Sequence, residues 1–422
     1  MVELIWDNKK EMLEEVNSED FLKTDKYFEY DKDESKNFDT TENLYIEGDN
    51  LDALKLLQKD YKSKIKMIYI DPPYNTEKKF IYNDTFRNKR KKECRHSGWL
   101  NMMYPRLKLA RDLLTEDGVI FISIDNNEIY NLRNICNEIF GEENFIEEII
   151  WEKKFAPQND AKYFSLNHEQ VLCYAKFKTN FKRNLLPMTE EQLSRYKNID
   201  NDVRGSWQSD NLTVSTYSAN YDFPITTPSG KIINPPNGRC WRTSKEKFEQ
   251  LVKDNRIWFG ENGENTPRIK RFLSEVQQGK VPISLWYYSE VGHTQEASKE
   301  LKELFDDKKF FDYPKPVKLL YRICYLATND DDIILDFFSG SCTTAHSVIK
   351  LNSEDNKNRK FIMVQLPEKC AQKSEPYKAG YKNICEIGKE RIRRAGDKIV
   401  KENKDKDGIE NLDIGFKVNK IK

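Results

Sequence analysis

Two short stretches of this 422-residue chain combine residue types that could do chemistry. The first is IYIDPPYN, residues 68–75. Asp71 follows an apolar run, so its carboxylate stands at the end of a buried strand. Pro72 biases Asp71 toward an extended conformation, and the paired prolines fix the backbone and remove two N–H donors. What remains is a rigid rim of acceptors, the Asp71 carboxylate and the Pro72 carbonyl, with the flat ring of Tyr74 beside it. Such a rim suits an amino group on a planar heterocycle. The second stretch is ILDFFSGSCTTAH, residues 334–346. Ser339, Gly340, Ser341 and Cys342 connect a strand to a helix starting near Thr343. A turn of small residues lets a ligand approach the backbone, and a helix N-terminus attracts negative groups. No Walker lysine follows, which disfavours a triphosphate-binding loop.

The elements that must position these stretches alternate between two periods. NLYI (43–46), IKMIYI (65–70) and VIFISI (119–124) read as strands. Between and after them lie helical spacings: Leu51, Leu54, Leu57 and Tyr61; Trp99 through Leu114, closed by Glu116-Asp117-Gly118; and Ile129 through Ile139, ending near Gly141. The rhythm returns late in the chain. A helix runs from Pro316 toward Ala327, strands cover DIILDFF (332–338) and KFIMVQ (360–365), and a long charged helix covers NICEIGKERIRRAGDKIV. A βαβα order implies a largely parallel sheet covered by helices on both faces. Ligands of such sheets bind outside the carboxyl ends of the strands, where both stretches stand. Residues 180–310 differ in texture. They carry Pro224, Pro228, Pro235, Pro236, Pro267 and Pro282, with turns such as PSGK and PPNG, together with Trp207, Trp241, Trp258 and Trp286, and read as a separate inserted module. The polar, acidic residues 1–40 read as an arm or a pair of loosely attached helices.

Composition removes several classes. Lys plus Arg and Asp plus Glu both number 70, so the net charge is zero, but the charge is unevenly spread. Residues 1–50 hold 6 basic and 16 acidic side chains, residues 86–111 hold 9 and 1, and residues 369–422 hold 15 and 9. Local basic blocks are what a phosphate-binding groove needs. No apolar run approaches the ~18 residues of a membrane helix, and the acidic start does not read as a signal peptide. Eight cysteines form no CxxC pair and the four histidines are far apart, so no metal site is expected and reduced thiols in a cytoplasm are.

IDPPYN together with LDFFSGS resembles the amino-methyltransferases that modify exocyclic nitrogens of DNA bases, in the circularly permuted β-class order. NLYIEGDNLDALKLL, GVIFISIDNNE, WEKKFAPQND, FDYPKPVKLLYRI, RKFIMVQLPE and ICEIGKERIRRAG extend the likeness from about residue 41 to the C-terminus. They are similar to the methylation (Mod) subunits of type III restriction-modification systems. The resemblance implies a Rossmann-like α/β fold with S-adenosylmethionine held between two strand ends. It divides the chain into the arm 1–40, a catalytic half 41–179, a target-recognition module 180–310 and a cofactor-binding half 311–422. Asp71, Pro72, Pro73 and Tyr74 would form the catalytic rim, with Tyr74 stacking on the base. Asp336, Phe338, Ser339, Gly340, Ser341, Cys342 and Thr343 would line the methionine part of the cofactor, with Lys315 and Pro316 beside them. Gln365 stands where relatives place an acid on the cofactor ribose, and Asp49 and Asn50 face the adenine. Cys342 departs from the pattern by replacing the second glycine of the turn.

By this resemblance the reaction is methylation of adenine N6 in double-stranded DNA, with the base flipped out of the helix. Arg87, Lys91, Lys92 and Arg95 would track phosphates, and Arg239, Arg242, Arg256 and Arg268 are candidates to read base edges or to pair with the module's own acids. A restriction subunit and a second copy of the chain are the expected partners. Cytosine-N4 methylation, a DNA-binding specificity subunit with weak catalysis, and RNA methylation remain open alternatives.

Overall fold

The computed structural model describes residues 4–76, 84, 86 and 94–422, and divides into two compact units, Met1–Asn184 with Ile283–Lys422, and Leu185–Pro282. The larger unit is built on one ten-stranded sheet. Its strands are β1 (Phe28–Lys36), β2 (Leu44–Glu47), β3 (Ile65–Ile70), β4 (Leu114–Ile124), β5 (Phe145–Glu152), β6 (His168–Ala175), β7 (Leu285–Trp286), β8 (Ile333–Asp336), β9 (Lys360–Gln365) and β10 (Phe416–Ile421). In space they run β1-β10-β2-β9-β8-β3-β4-β6-β5-β7. The stretch from β10 to β4 is parallel throughout, while β6 runs antiparallel to both β4 and β5. Every residue of β3 is buried, as expected where helices cover both faces.

The helices used below are α1 (Lys9–Val16), α2 (Asn50–Tyr61), α3 (Arg95–Leu113), α4 (Ile129–Phe140), α5 (Thr294–Leu304), α6 (Val317–Ala327), α7 (Thr343–Asp355) and α8 (Ile384–Glu402). Helix α2 starts because the Asp49 carboxylate accepts the Leu51 N–H at 2.8 Å, and it buries Ala53, Leu54 and Leu57. Helix α4 stops at Gly141, whose φ of 92° suits glycine.

Three expectations are corrected. The N-terminal segment is no loose arm: Trp6, Met12, Val16 and Phe21 are buried in the main core, and β1 pairs antiparallel with β10. Apolar anchors and a distant strand partner hold a segment whose composition is otherwise that of solvent-facing chain. Glu116-Asp117-Gly118 does not close α3. It lies inside β4, where the register against β3 jumps from Ile65↔Leu114 to Met67↔Val119. The second unit runs from Leu185 to Pro282 rather than 180–310. Trp286 pairs in the main sheet opposite Trp151, and α5 buries Leu301 and Leu304 against α8 residues, so this stretch contributes to the larger core.

The smaller unit has short antiparallel strands around Leu212, Ile225, Trp241, Phe248, Ile257 and Phe259. Its arginines are engaged. Arg239 donates to Thr213 Oγ1 at 3.0 Å, Arg242 pairs with Asp210 at 3.0 Å, and Glu275 grips Arg256 with two bonds of 2.7 Å. Arg268 donates to Ser209. Lys270 is buried between Asp200 and Asp202.

Candidate active site

Four neighbouring parallel strands, β2, β9, β8 and β3, end at one edge of the sheet. Their last residues lead into Asp49-Asn50, Gln365, Asp336 with the small-residue turn, and Asp71, so the topology gathers stretches up to 316 residues apart in sequence. A cavity of about 270 Å³ opens there. On its wall stand Asp71 and Pro73 from the first motif, and Asp336, Phe338, Ser339, Gly340, Ser341 and Thr343 from the second. Asp49, Asn50, Lys315 and Gln365 complete the predicted residues that line it. Pro72, Tyr74, Pro316 and Cys342 do not. Pro316 is instead the N-cap of α6. Arg95 opens α3, and its guanidinium donates to the Asn75 carbonyl at 3.4 Å. Arg87, Lys91 and Lys92 lie outside the described residues.

The rim is anchored from below. Trp99 Nε1 donates to the Pro73 carbonyl at 2.7 Å. Asn75 takes a φ of 59°, and its amide donates to the Arg95 carbonyl and to Glu128 Oε1 at 3.1 and 2.6 Å. The Asn75 N–H is received by Asp84 at 2.9 Å. Glu128 is fully buried and also takes bonds from His96 and Asn131. The loop after β3 is therefore fixed by side chains from α3 and the start of α4.

Above it, Asp71 belongs to a buried chain of charges. Its Oδ1 accepts from Lys315 Nζ and from the Tyr74 hydroxyl, both at 2.7 Å. Lys315 also donates to the Tyr74 oxygen at 2.8 Å and lies 3.6 Å from Glu169 Oε2, and Glu169 Oε1 accepts from Lys153 at 2.8 Å. Burial works to lower the Lys315 pKa, but Asp71 and then Glu169 outweigh it and hold the ammonium above its ordinary value. For Glu169 burial pulls upward, and Lys315 and Lys153 outweigh it, so its pKa is lowered. Burial, then Asp71 and Glu169, drives the Tyr74 phenol well above its usual range, which keeps it a neutral donor. The Tyr74 hydroxyl is thus tied into the rim, in addition to the flat face expected of its ring.

The small-residue turn is braced from behind. Gly340 has a φ of 50° and a Cβ there would sit 3.3 Å from the Phe311 ring, while its N–H donates to Gln365 Oε1 at 2.7 Å. Arg391, fully buried on α8, donates to Ser341 Oγ at 2.9 Å and Thr343 Oγ1 at 2.6 Å. Cys342 adopts φ 60° and ψ 41°, the left-handed conformation that glycine would take more cheaply, and its thiol is buried behind the turn. Asp336 accepts from Phe338 N at 3.1 Å and Thr344 Oγ1 at 2.5 Å, and burial pushes its pKa up to about 7. Arg106 ties the adjoining corner together, donating to Asn50 Oδ1 at 2.5 Å and Asp49 at 3.3 Å. Asn50 in turn donates to the Phe337 carbonyl at 2.8 Å.

Sequence reasoning missed Lys153, Glu169, Arg106, Trp99, Asn75 and Arg391. Glu169 and Lys153 had one available signal: β6 begins, and β5 ends, at the same edge where the parallel strands end, so the start of an antiparallel strand faces the site too.

Fold and site together define an α/β protein with an acceptor rim facing a small-residue turn across one cavity. The chain belongs to the DNA methylase family, which matches residues 65–395. It is similar to the StyLTI Mod subunit of a type III restriction-modification enzyme from Salmonella typhimurium, with 37% identity over 91% of this chain and 60% of that protein. The EcoP15I Mod subunit from Escherichia coli is 32% identical over 92% of this chain and 66% of that protein. The chain thus spans between three fifths and two thirds of the length of these relatives. Among solved structures, the cytosine-N4-specific PvuII DNA methyltransferase covers 84% of this chain at 14% identity, with a TM-score of 0.43. Among the described residues, no helix is long and apolar enough to cross a membrane.

Proposed function

We propose that this chain transfers a methyl group from S-adenosylmethionine to the N6 amino group of adenine in double-stranded DNA, as the modification subunit of a type III-like restriction-modification system. The observation that carries the reading is the Asp71 carboxylate at the cavity. Among the described residues both bonds it accepts go to Oδ1, which leaves Oδ2 for an incoming N–H. The donor set also fits the cofactor: backbone and hydroxyl groups of Ser339 to Ser341 beside Asp336 suit an amino-acid group, and Asp49 and Asn50 suit an adenine edge.

S-adenosylmethionine, when bound, supplies an electrophilic methyl group. The rest falls to the chain's own residues. An adenine amino group is a weak nucleophile because its lone pair is delocalised into the ring. Asp71 Oδ2 accepts one of its N–H bonds and so helps to localise that lone pair. Lys315 and Tyr74 hold Oδ1 and fix the carboxylate in place, which is catalysis by positioning and preorganised charge. The base must leave the duplex to reach this edge, at a cost of a few kcal/mol. In this reading residues 87–95 track the neighbouring phosphates, the unit Leu185–Pro282 reads sequence, the protein works in the cytoplasm as a homodimer, and a restriction subunit is a further partner.

The test incubates the full chain with methyl-labelled S-adenosylmethionine and unmethylated DNA of mixed sequence, then locates the label after digestion to nucleosides. Label in N6-methyladenosine is expected. Label in N4-methylcytosine, or intact DNA binding with no transfer, refutes the assignment. Asp71→Ala should abolish transfer while S-adenosylmethionine binding by calorimetry persists.

A further inference from the structure

Glu169 stands on β6, outside every stretch that carries the likeness to the family's cofactor and catalytic motifs, and yet it lies at the reacting edge. It is 8% exposed, its Oε2 is 3.3 Å from the Tyr74 hydroxyl and 3.6 Å from Lys315 Nζ, and Lys153 holds its other oxygen. The register of β5 against β6 places Trp151 opposite Glu169, so Lys153, two residues on, emerges beside it. The Trp151 ring lies 5.9 Å from Lys315 Nζ and lines the apolar side of the same ammonium.

Read along the chain, the charges alternate: Lys153, Glu169, Lys315, Asp71. The groups around this row are the neutral phenols of Tyr74 and Tyr69 and the carboxyls of Asp125 and Asp336, which feel its field. With all four ionised the row carries no net charge. Without Glu169, two ammonium groups would face one carboxylate. The reaction proposed above places a cationic sulfonium at this edge and builds positive charge on the attacking amine. A surplus ammonium would oppose both. It would also be drawn wholly onto Asp71, because a lysine's three donors go to whatever acceptors remain. In a buried setting such terms are screened far less than at the surface.

We propose that Glu169 is a positioning residue for methyl transfer: its carboxylate offsets the charge of Lys315 and keeps the Asp71 carboxylate available to the target amine. This inference rests on the methyl-transfer reading and deepens it. Glu169 touches neither reactant and acts through Lys315 and Tyr74.

The experiment compares the full-length parent, Glu169→Gln and Glu169→Asp in single-turnover methyl transfer across a pH series, with S-adenosylmethionine binding by calorimetry as the check on folding. An inactive parent would strike at the reaction assignment rather than at Glu169, which keeps the two failures apart. Given an active parent, Glu169→Gln should lower kcat by roughly tenfold to a hundredfold with KM for DNA little changed. The loss should shrink as pH rises, because losing Glu169 lowers the Lys315 pKa and deprotonating Lys315 restores a neutral row. Glu169→Asp should recover most of the rate. An unchanged kcat in Glu169→Gln overturns the proposal. So does an equal loss at every pH with no rescue by aspartate, which is what a purely structural role would give. Should Glu169→Gln fail to bind cofactor, Lys153→Met decides by the opposite sign. Removing that ammonium leaves the row net negative, so its kcat should fall by less than about tenfold, and a larger drop overturns the proposal.

Discussion

Asp336→Asn offers a direct test of the electrostatics at the small-residue turn. The carboxyl is 2% exposed and its folded-state pKa stands at about 7 against 3.8 for the free group, with burial as the main cause. A carboxyl whose pKa is raised on folding stabilises the fold relative to its ionised form below the unfolded pKa, and that contribution is lost as pH rises through the folded pKa. The loss should therefore run between about pH 4 and pH 7, at about 1.4 kcal/mol for each pH unit. The whole interval amounts to about 4 kcal/mol. Asparagine keeps the shape and, through Oδ1, the bond from Phe338 N, while its amide can donate to Thr344 Oγ1 once that hydroxyl turns. The variant thus reports the charge with little loss of contact. Urea unfolding followed by far-UV circular dichroism should give stabilities that converge near pH 4 and diverge upward, with Asp336→Asn the more stable by several kcal/mol at pH 8 and no further divergence above it. Parallel stability curves for the two proteins over this range would refute the reasoning.

Other outcomes follow from packing. A methyl group on Gly388 would meet Cys342 Sγ at 2.8 Å and the Tyr45 hydroxyl at 3.1 Å, so Gly388→Ala should cost about 1–3 kcal/mol and weaken S-adenosylmethionine binding in calorimetry. Adding Cys342→Gly should recover most of that loss, a coupling that a double-mutant cycle measures. Cys342→Gly alone should stay within about 1 kcal/mol of the parent, since relief of the left-handed backbone offsets the lost thiol packing. Lys270→Met should destabilise the Leu185–Pro282 unit by about 3–5 kcal/mol, read by limited proteolysis or urea unfolding, because Asp200 and Asp202 lose their buried partner.

The strands that carry the site were legible because buried parallel strands read as unbroken apolar runs, and IKMIYI and KFIMVQ match β3 and β9 residue for residue. The rims at their ends followed from the same rule. Strand β1, FEYDKDESK, was hidden because it is a polar edge strand whose partner lies nearly four hundred residues on, as in the pairing of Phe28 with Ile421. Glu169 was hidden for a different reason. Its strand runs against its neighbours, and a search confined to the carboxyl ends of strands passes over the beginning of a reversed one. Arg106 and Arg391 sit on helices among many charged residues, and nothing local distinguishes a buried arginine from a solvated one until the fold places a partner beside it.

Strands β2 and β3 follow one another in the chain but are not neighbours in the sheet. Strands β9 and β8 lie between them. A ribosome making this protein therefore finishes the Asp71 loop long before the strand that will support it exists. The half-sheet must wait, with β2 and β3 offering unpaired edges, until residues 333–365 have emerged and slid into the gap. Such long-range pairing folds slowly and leaves sticky edges exposed meanwhile. The protein's yield in a cell should consequently depend on how its synthesis is paced and on chaperones that shield a half-built sheet, even though the finished edge is covered.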